Sequence, residues 1–368
     1  MNVQQPPDGQ SAELADHLLE NKQKLQQLIQ QLNDADKLDQ QADCVKLMQQ
    51  LITEILNYIP SPKMSPEQIE TMALAYDWGG ETSPNKALFG RVINTIVEEI
   101  IATRGKNEPV LIYEMGSGEG QITLEIVSNR SQTSAVLVEI YPPLAEKAAA
   151  TIDKRLLSKR AKAYNARYDE LPDVVAGLVN GKADLIINAG STDFQNFTKF
   201  LALQMIAGKF GARIINIDYY KGNDTAVDGV NAKEALKAAN PGNLLGLYRE
   251  FGVPHRFRSV LASYWNLLAS YGRAWLKQDA NGKARWQKLS EMIKAIPAPS
   301  KDEIFQMKGI AKRMMEVDLA LFHPIVSEFV VDKRTVKTIL EKLILTHKGN
   351  IPAEVFSELT QALKITEA

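Results

Sequence analysis

The sequence predicts an α/β protein centred on a doubly wound, mostly parallel sheet, with helical additions on both sides of it in the chain. Three observations carry that expectation. Buried-strand patterns alternate with helical patterns, at 110–114, 135–139, 161–165, 183–191 and 211–218. The first of them, V-L-I-Y, breaks into E-M-G-S-G-E-G, whose alternating glycines force a tight turn before the next helix. The second ends in an acid, Glu139, nineteen residues beyond Gly120, the interval of a strand-helix-strand unit.

Taken in order, residues 1–10 read as a loose tail of prolines, glycine and glutamines. From Ser11, a helix is expected on Leu14, Leu18, Leu25, Leu28, Ile29 and Leu32. A second helix is expected from about Asp36, with Val45, Met48, Leu51, Ile52, Ile55 and Ile59 on one face, until Pro60 and Pro62 stop it. The repeat is too short and irregular for a coiled coil, so the pair is expected to pack on the core as a helical cap. Ser65-Pro66-Glu67-Gln68 has the form of a capped helix start. The stretch A-Y-D-W-G-G-E-T-S-P at 75–84 is a loop of the kind that carries binding groups. Tyr76, Asp77 and Trp78 are candidate substrate-binding residues on it; the alternative is a helix corner with Trp78 wedged into a core. A helix over 86–103 leads into the sheet.

Within the alternating core, Ile122, Leu124, Ile126 and Val127 mark the helix that leaves the glycine turn, and Pro142-Pro143 opens the next one. The pairs Lys154-Arg155 and Lys159-Arg160 are solvated charge at a helix end. The fourth strand ends in Asn188, followed by small polar residues where Ser191 and Asp193 are placed to shape an acceptor site. A helix over 194–207 precedes the fifth strand, after which Asp218, Tyr219 and Tyr220 emerge at the same sheet edge, rich in groups that bind or transfer protons. Residues 244–275 are dense in aromatics at helix-like spacing, which points to a core or cap interface before a ligand box. His255, after a Gly-Val-Pro turn, is the leading candidate for a general base, if the reaction needs one. From Pro297 onward the pattern is helical, with helices over 331–345 and 352–363. The expected division is a helical cap at 1–105, a ligand-binding core at 106–225, and a substrate-specific insertion with C-terminal helices at 226–368.

Composition narrows the function. The 368 residues carry 43 basic and 44 acidic side chains, so no broad positive field exists to hold nucleic acid. The one cysteine, Cys44, excludes an intrachain disulfide framework and a multi-thiolate zinc site, and no metal-ligand spacing is seen. The first twenty residues are polar and acidic, and no stretch has the eighteen apolar residues of a membrane span, so a cytoplasmic protein with no membrane partner is expected.

The glycine turn narrows the ligand. Gly116, Gly118 and Gly120 let a ligand approach backbone without meeting a Cβ, but the third glycine comes one position early for the dinucleotide fingerprint G-x-G-x-x-G. Two carboxylates, Glu114 at the mouth of the turn and Glu119 inside it, disfavour a pyrophosphate and suit a ligand bearing an ammonium and a sulfonium. The stretch resembles motif I, E-x-G-x-G-x-G, of the class I S-adenosylmethionine-dependent methyltransferases, and the resemblance spans roughly residues 108 to 220. It implies a Rossmann-like fold and S-adenosyl-L-methionine as cofactor. Glu114 would then orient the methionine ammonium, the turn formed by Gly116, Ser117, Gly118 and Gly120 would hold its carboxylate, and Glu139 would take the ribose hydroxyls. A carboxylate suits that bidentate task, although an acid there can also cap a helix. Ile140 or Tyr141 would cover the adenine, and Asn188 would touch the methionine or the substrate. Asp169 is available for the adenine amino group, although it lies a residue or more later than the family's usual position. The resemblance further implies a helix and an antiparallel strand pair beyond the fifth strand, which the sequence does not place. After Asn188 the chain reads A-G-S, without the aromatic and prolines of enzymes that methylate base amines, which weakens that branch.

The reading is therefore a methyltransferase acting at N or O of a small-molecule or peptide acceptor. The alternatives are aminocarboxypropyl transfer from the same cofactor and a non-catalytic ligand-binding or scaffold module. The helical regions offer a surface for a homodimer.

Overall fold

The computed structural model describes residues 8–61, 63–70, 84–105, 108–191, 196–219, 256–258 and 324–365. Among these, β1 (Val110–Met115), β2 (Thr133–Glu139), β3 (Ala161–Asn165), β4 (Ala183–Ala189), β5 (Gly208–Tyr219), β6 (Arg256–Arg258) and β7 (Pro324–Val330) form one sheet in the order β3-β2-β1-β4-β5-β7-β6. Strands β1 to β5 run parallel, and β7 is antiparallel to both β5 and β6. The doubly wound, mostly parallel sheet expected from the sequence is present. Its chain order reverses between β1 and β4, and the crevice at their carboxyl ends is where such sheets bind ligands.

Helices cover both faces, which is why the central strands read as continuous apolar runs. Alternate residues divide between the faces. Val110, Ile112, Leu137, Leu185 and Ile187 pack with α3 (Pro84–Ala102), α4 (Gln121–Asn129) and α5 (Pro142–Lys154). Tyr113, Met115, Val136, Val138, Ile186 and Ile214 pack with α6 (Asp173–Val179), α7 (Phe197–Ala207) and α8 (Lys333–Thr346). Both terminal regions join this second core: α1 (Asp8–Lys37), α2 (Gln41–Leu56) and α9 (Ala353–Leu363) contribute Leu25, Leu28, Leu51, Ile52, Ile55, Val355 and Leu359. The apolar face of α2, Cys44 included, is thus consumed inside the chain against α7 and α8.

A side chain that the apolar pattern did not single out fixes how α2 docks. Gln49 Nε2 donates to the carbonyls of Met205 and Gly208, both at 2.6 Å, at the end of α7 where helix carbonyls lack intrahelical partners. Gln49→Ala is expected to lower stability by about 2 kcal/mol, because it leaves buried carbonyls unpaired. Urea unfolding measures it, and a loss below about 0.5 kcal/mol, the ordinary scatter of surface substitutions, would reject the capping role.

Some boundaries differ from expectation. α1 continues through Lys37 and α2 begins at Gln41, with Asp39 at φ +53° making the corner. Residues 8–10, expected in the tail, are the first turn of α1. The capped start at Ser65 is a reciprocal box: the Ser65 amide donates to Gln68 Oε1 (2.8 Å) and the Gln68 amide to Ser65 Oγ (3.3 Å). The larger correction concerns 324–330, expected to be helical and found as β7 in the middle of a three-strand stretch. Arg213 on β5 anchors it, donating through Nε to Glu328 Oε1 (2.6 Å) and through Nη1 to Glu99 Oε2 of α3 (2.7 Å). Long-range pairing of this kind overrides local pattern.

Candidate functional site

The site begins where β1 ends. Gly116, Gly118 and Gly120 have φ of +65°, +56° and +67°, the left-handed region that side chains avoid. A Cβ on Gly116 would lie 2.1 Å from Ser191 Oγ, whereas one on Gly118 would meet nothing within 4 Å. The turn is therefore packed from below at Gly116 and open at Gly118. It is tied down by the Ser117 amide donating to the Val138 carbonyl (3.0 Å) and the Gly120 amide donating to the Ser117 carbonyl (2.9 Å). Gly120 is the N-cap of α4, so the opening lies beside a helix N-terminus.

Glu139, at the end of β2, is 7% exposed. Its Oε2 accepts from the Gly118 amide at 2.7 Å, and its Oε1 from the Tyr141 amide at 2.9 Å. The carboxylate thus lies against the glycine turn and also bonds the amide of Tyr141, the residue before α5. Each oxygen retains capacity to accept from a ligand hydroxyl. Burial pushes its pKa up, opposed by the amides of Tyr141, Gly118 and Ile140. A carboxyl raised in the folded state favours folding at low pH, and that contribution is lost as pH rises through the carboxylate range. Two hydroxyl donors at the carboxylate would favour its ionised form. Ile140 and Tyr141 beside it are half-buried.

Glu114, 3% exposed, pairs in register with Leu137 and Ile187 on the flanking strands. Asn188, in register with Met115, is fully buried. Its Nδ2 donates to Ser191 Oγ (2.5 Å), whose hydroxyl donates to the Met115 carbonyl (2.9 Å). Asn188 and Ser191 together form the floor under Gly116. Glu119 is answered by Lys147 Nζ at 3.0 Å, so the negative field inside the turn is weaker than the sequence suggested.

Asp169 lies farther out, beyond β3, and is engaged on the other face. Arg167 clamps it through Nε (2.9 Å) and Nη2 (2.8 Å), with Lys199 Nζ 3.6 Å away and bound to Ser61 Oγ at 2.7 Å. Burial raises its pKa, but hydrogen bonding and charge from Arg167, with Lys199 behind them, lower it overall. This cluster ties α7 and the segment after α2, at Ser61, to the loop after β3.

The structure therefore gathers Glu114, Gly116, Ser117, Gly118, Gly120, Glu139, Ile140, Asn188 and Ser191 at the carboxyl ends of β1, β2 and β4. Asp218 and Tyr219 end β5, their backbones in register with Ile325 and Pro324. Tyr76, Asp77, Trp78, Asp193, Tyr220 and His255 lie outside the described residues. Among the described residues no cluster of His, Cys, Asp and Glu suits a metal, and no helix is long and apolar enough to cross a membrane. Sequence reasoning missed Asn165 at the end of β3, which donates from Nδ2 to the carbonyls of Glu139 (3.0 Å) and Ile140 (2.8 Å). Its only signal was an amide side chain closing the strand that neighbours β2.

The sheet order with a single antiparallel strand among the described ones, helices on both faces and a glycine turn after β1 define the Rossmann-like architecture of the class I methyltransferase type. Solved structures with this likeness include a SAM-dependent methyltransferase from Aquifex aeolicus, at 15% identity over 54% of this chain and 94% of that one, with a TM-score of 0.36. Another, from Thiobacillus denitrificans in complex with S-adenosyl-L-homocysteine, has 12% identity over 72% and 97% of the two chains and a TM-score of 0.37. A third, from Geobacter sulfurreducens with the same ligand, has 14% identity over 71% and 96%, and a TM-score of 0.36. With identities and scores this low they add nothing to what the strand order already defines. No protein-family model and no curated protein matches the chain.

Proposed function

We propose that this protein is an S-adenosylmethionine-dependent transferase, and that it moves the methyl group to N or O of a small-molecule or peptide acceptor. The observation that carries the reading is Glu139: a buried carboxylate at the end of β2, held on the Gly118 and Tyr141 amides and facing the open part of the glycine turn. The residues fit the cofactor by chemistry. Glu139 would accept the ribose hydroxyls, Ile140 would cover the adenine, Glu114 would orient the methionine ammonium, and amides of the turn would take its carboxylate. Asn188 and Ser191 would hold the turn at the height the methionine end needs. When bound, the cofactor supplies a methyl carbon already activated by its sulfonium. What the chain must add is alignment of the acceptor and exclusion of water. Asp218 and Tyr219, at the end of β5 one strand beyond β4, would serve the acceptor.

Titration calorimetry tests the reading. S-adenosylhomocysteine is expected to bind and NAD not to, and Glu139→Ala is expected to weaken the former by about 50-fold, the worth of hydrogen bonds to a charged group. A preference for NAD, or a Glu139→Ala affinity within twofold of the parent, would reject it. The nucleoside product separates methyl from aminocarboxypropyl transfer: S-adenosylhomocysteine from the first, methylthioadenosine from the second.

A further inference from the structure

Asn165 has no part in the reading above, yet its amide meets two consecutive carbonyls, those of Glu139 at 3.0 Å and Ile140 at 2.8 Å. A peptide unit is planar, so an anchored carbonyl oxygen also sets the direction of the N–H on its other side. The Glu139 carbonyl shares its plane with the Ile140 N–H, and the Ile140 carbonyl shares its plane with the Tyr141 N–H. The second of these N–H groups acts on the site: the Tyr141 amide donates to Glu139 Oε1 at 2.9 Å. The Ala166 amide, donating to the Glu139 carbonyl at 3.0 Å, reinforces the first plane.

We propose that Asn165 is a positioning residue: by donating to the Ile140 carbonyl, and to the Glu139 carbonyl before it, it aims the Tyr141 amide that holds the Glu139 carboxylate in its ligand-facing orientation. The other amide on that carboxylate, from Gly118, comes from another loop, so Asn165 links the end of β3 to the glycine turn through Glu139. The task needs two donors on one planar head. Aspartate, nearly identical in shape, has none when ionised and would turn negative charge toward two carbonyl oxygens.

That gives an order of effects which a space-filling role would reverse. If Asn165 served only by its volume, Asn165→Asp would be milder than Asn165→Ala. If it acts by donation, Asp is the worse of the two. In the full-length protein, calorimetry with S-adenosylhomocysteine is expected to show about a tenfold loss for Asn165→Ala and a larger one for Asn165→Asp. In a Glu139→Ala background, Asn165→Ala should add less than twofold, since the group it positions is gone. An Asp variant that binds as well as the parent, or a tenfold loss that persists without Glu139, would overturn the proposal.

The binding arm rests on the cofactor reading, and a second arm does not. In ligand-free protein, hydrogen exchange at the Tyr141 amide is expected to be about tenfold faster in Asn165→Ala, with exchange in α2 and α7 unchanged. If the parent binds no S-adenosylhomocysteine, the function fails while faster exchange still supports the positioning role. Unchanged exchange at that amide sinks the role whatever the ligand proves to be.

Discussion

Gly116→Ala is expected to lose about 3 kcal/mol of stability and to bind S-adenosylhomocysteine at least 100-fold more weakly than the parent, from left-handed strain and overpacking combined. The new Cβ would stand 2.1 Å from Ser191 Oγ and 2.5 Å from Ser191 Cβ, distances at which something must move. Ser191 is poorly able to yield, since its hydroxyl donates to the Met115 carbonyl and accepts from the buried Asn188. Any displacement therefore breaks bonds that hold the ends of β1 and β4 together. The φ of +65° adds about 1–2 kcal/mol of strain for any residue with a Cβ. Gly118→Ala separates these effects, because its φ of +56° carries the strain while its Cβ meets nothing within 4 Å. It should cost about 1 kcal/mol in urea unfolding, and the double variant Gly116→Ala with Ser191→Gly should recover the steric part alone. A Gly116→Ala protein as stable as the parent would mean the turn is not packed as described.

Asp184→Ala is expected to lower stability by a similar amount, about 3 kcal/mol, from the opposite edge of the sheet. Asp184 opens β4 and is 4% exposed. One oxygen accepts from Arg104 Nη2 at 2.5 Å and pairs with Lys209, and the other accepts from the Leu111 amide at 2.7 Å. The carboxylate joins the end of α3, the start of β1 and the start of β5, and its removal strands a largely buried guanidinium and a backbone N–H. Lys209 is 42% exposed, so its share is screened and most of the effect belongs to Arg104 and Leu111. Burial raises the Asp184 pKa, but Arg104, Lys209 and the Leu111 amide together hold it below the ordinary range. With the folded value below the unfolded one, near 3.9, the contribution is complete above about pH 4 and is lost as pH falls through the folded value. Urea midpoints from pH 7 to pH 2 should fall steeply at the acid end in the parent and less so in Asp184→Asn. Asp169, shifted in the same direction, leaves a residual slope in that variant. An identical acid slope in parent and Asp184→Asn would reject the assignment.

The site was legible to the extent that it is made by strand ends. An apolar run that stops at a carboxylate or at alternating glycines marks both the strand and its carboxyl edge, so Glu114, Gly116, Gly118, Gly120 and Glu139 could be read directly. Asp169 was expected at the adenine from its place after β3, whereas its engagement with Arg167 and Lys199 arises from a neighbouring turn and from α7. Asn165 and Lys147 were overlooked because an exposed polar residue has no periodic signature. Their importance lies in which backbone or charge they reach.

Residue chemistry and order alone determined the parallel core of this protein, because burial on both faces forces its strands to be apolar throughout and the turns between them to be small or polar. Tertiary structure decided that β7, read locally as helix, pairs with β5 more than a hundred residues earlier in the chain. It also decided that α1, α2, α8 and α9 share one core, and that Asn165 faces the carbonyls of Glu139, the last residue of β2, and of Ile140 just beyond it. Hydrogen-bond partners and packing faces are supplied by distant segments, and no window along the chain contains both halves of such a contact.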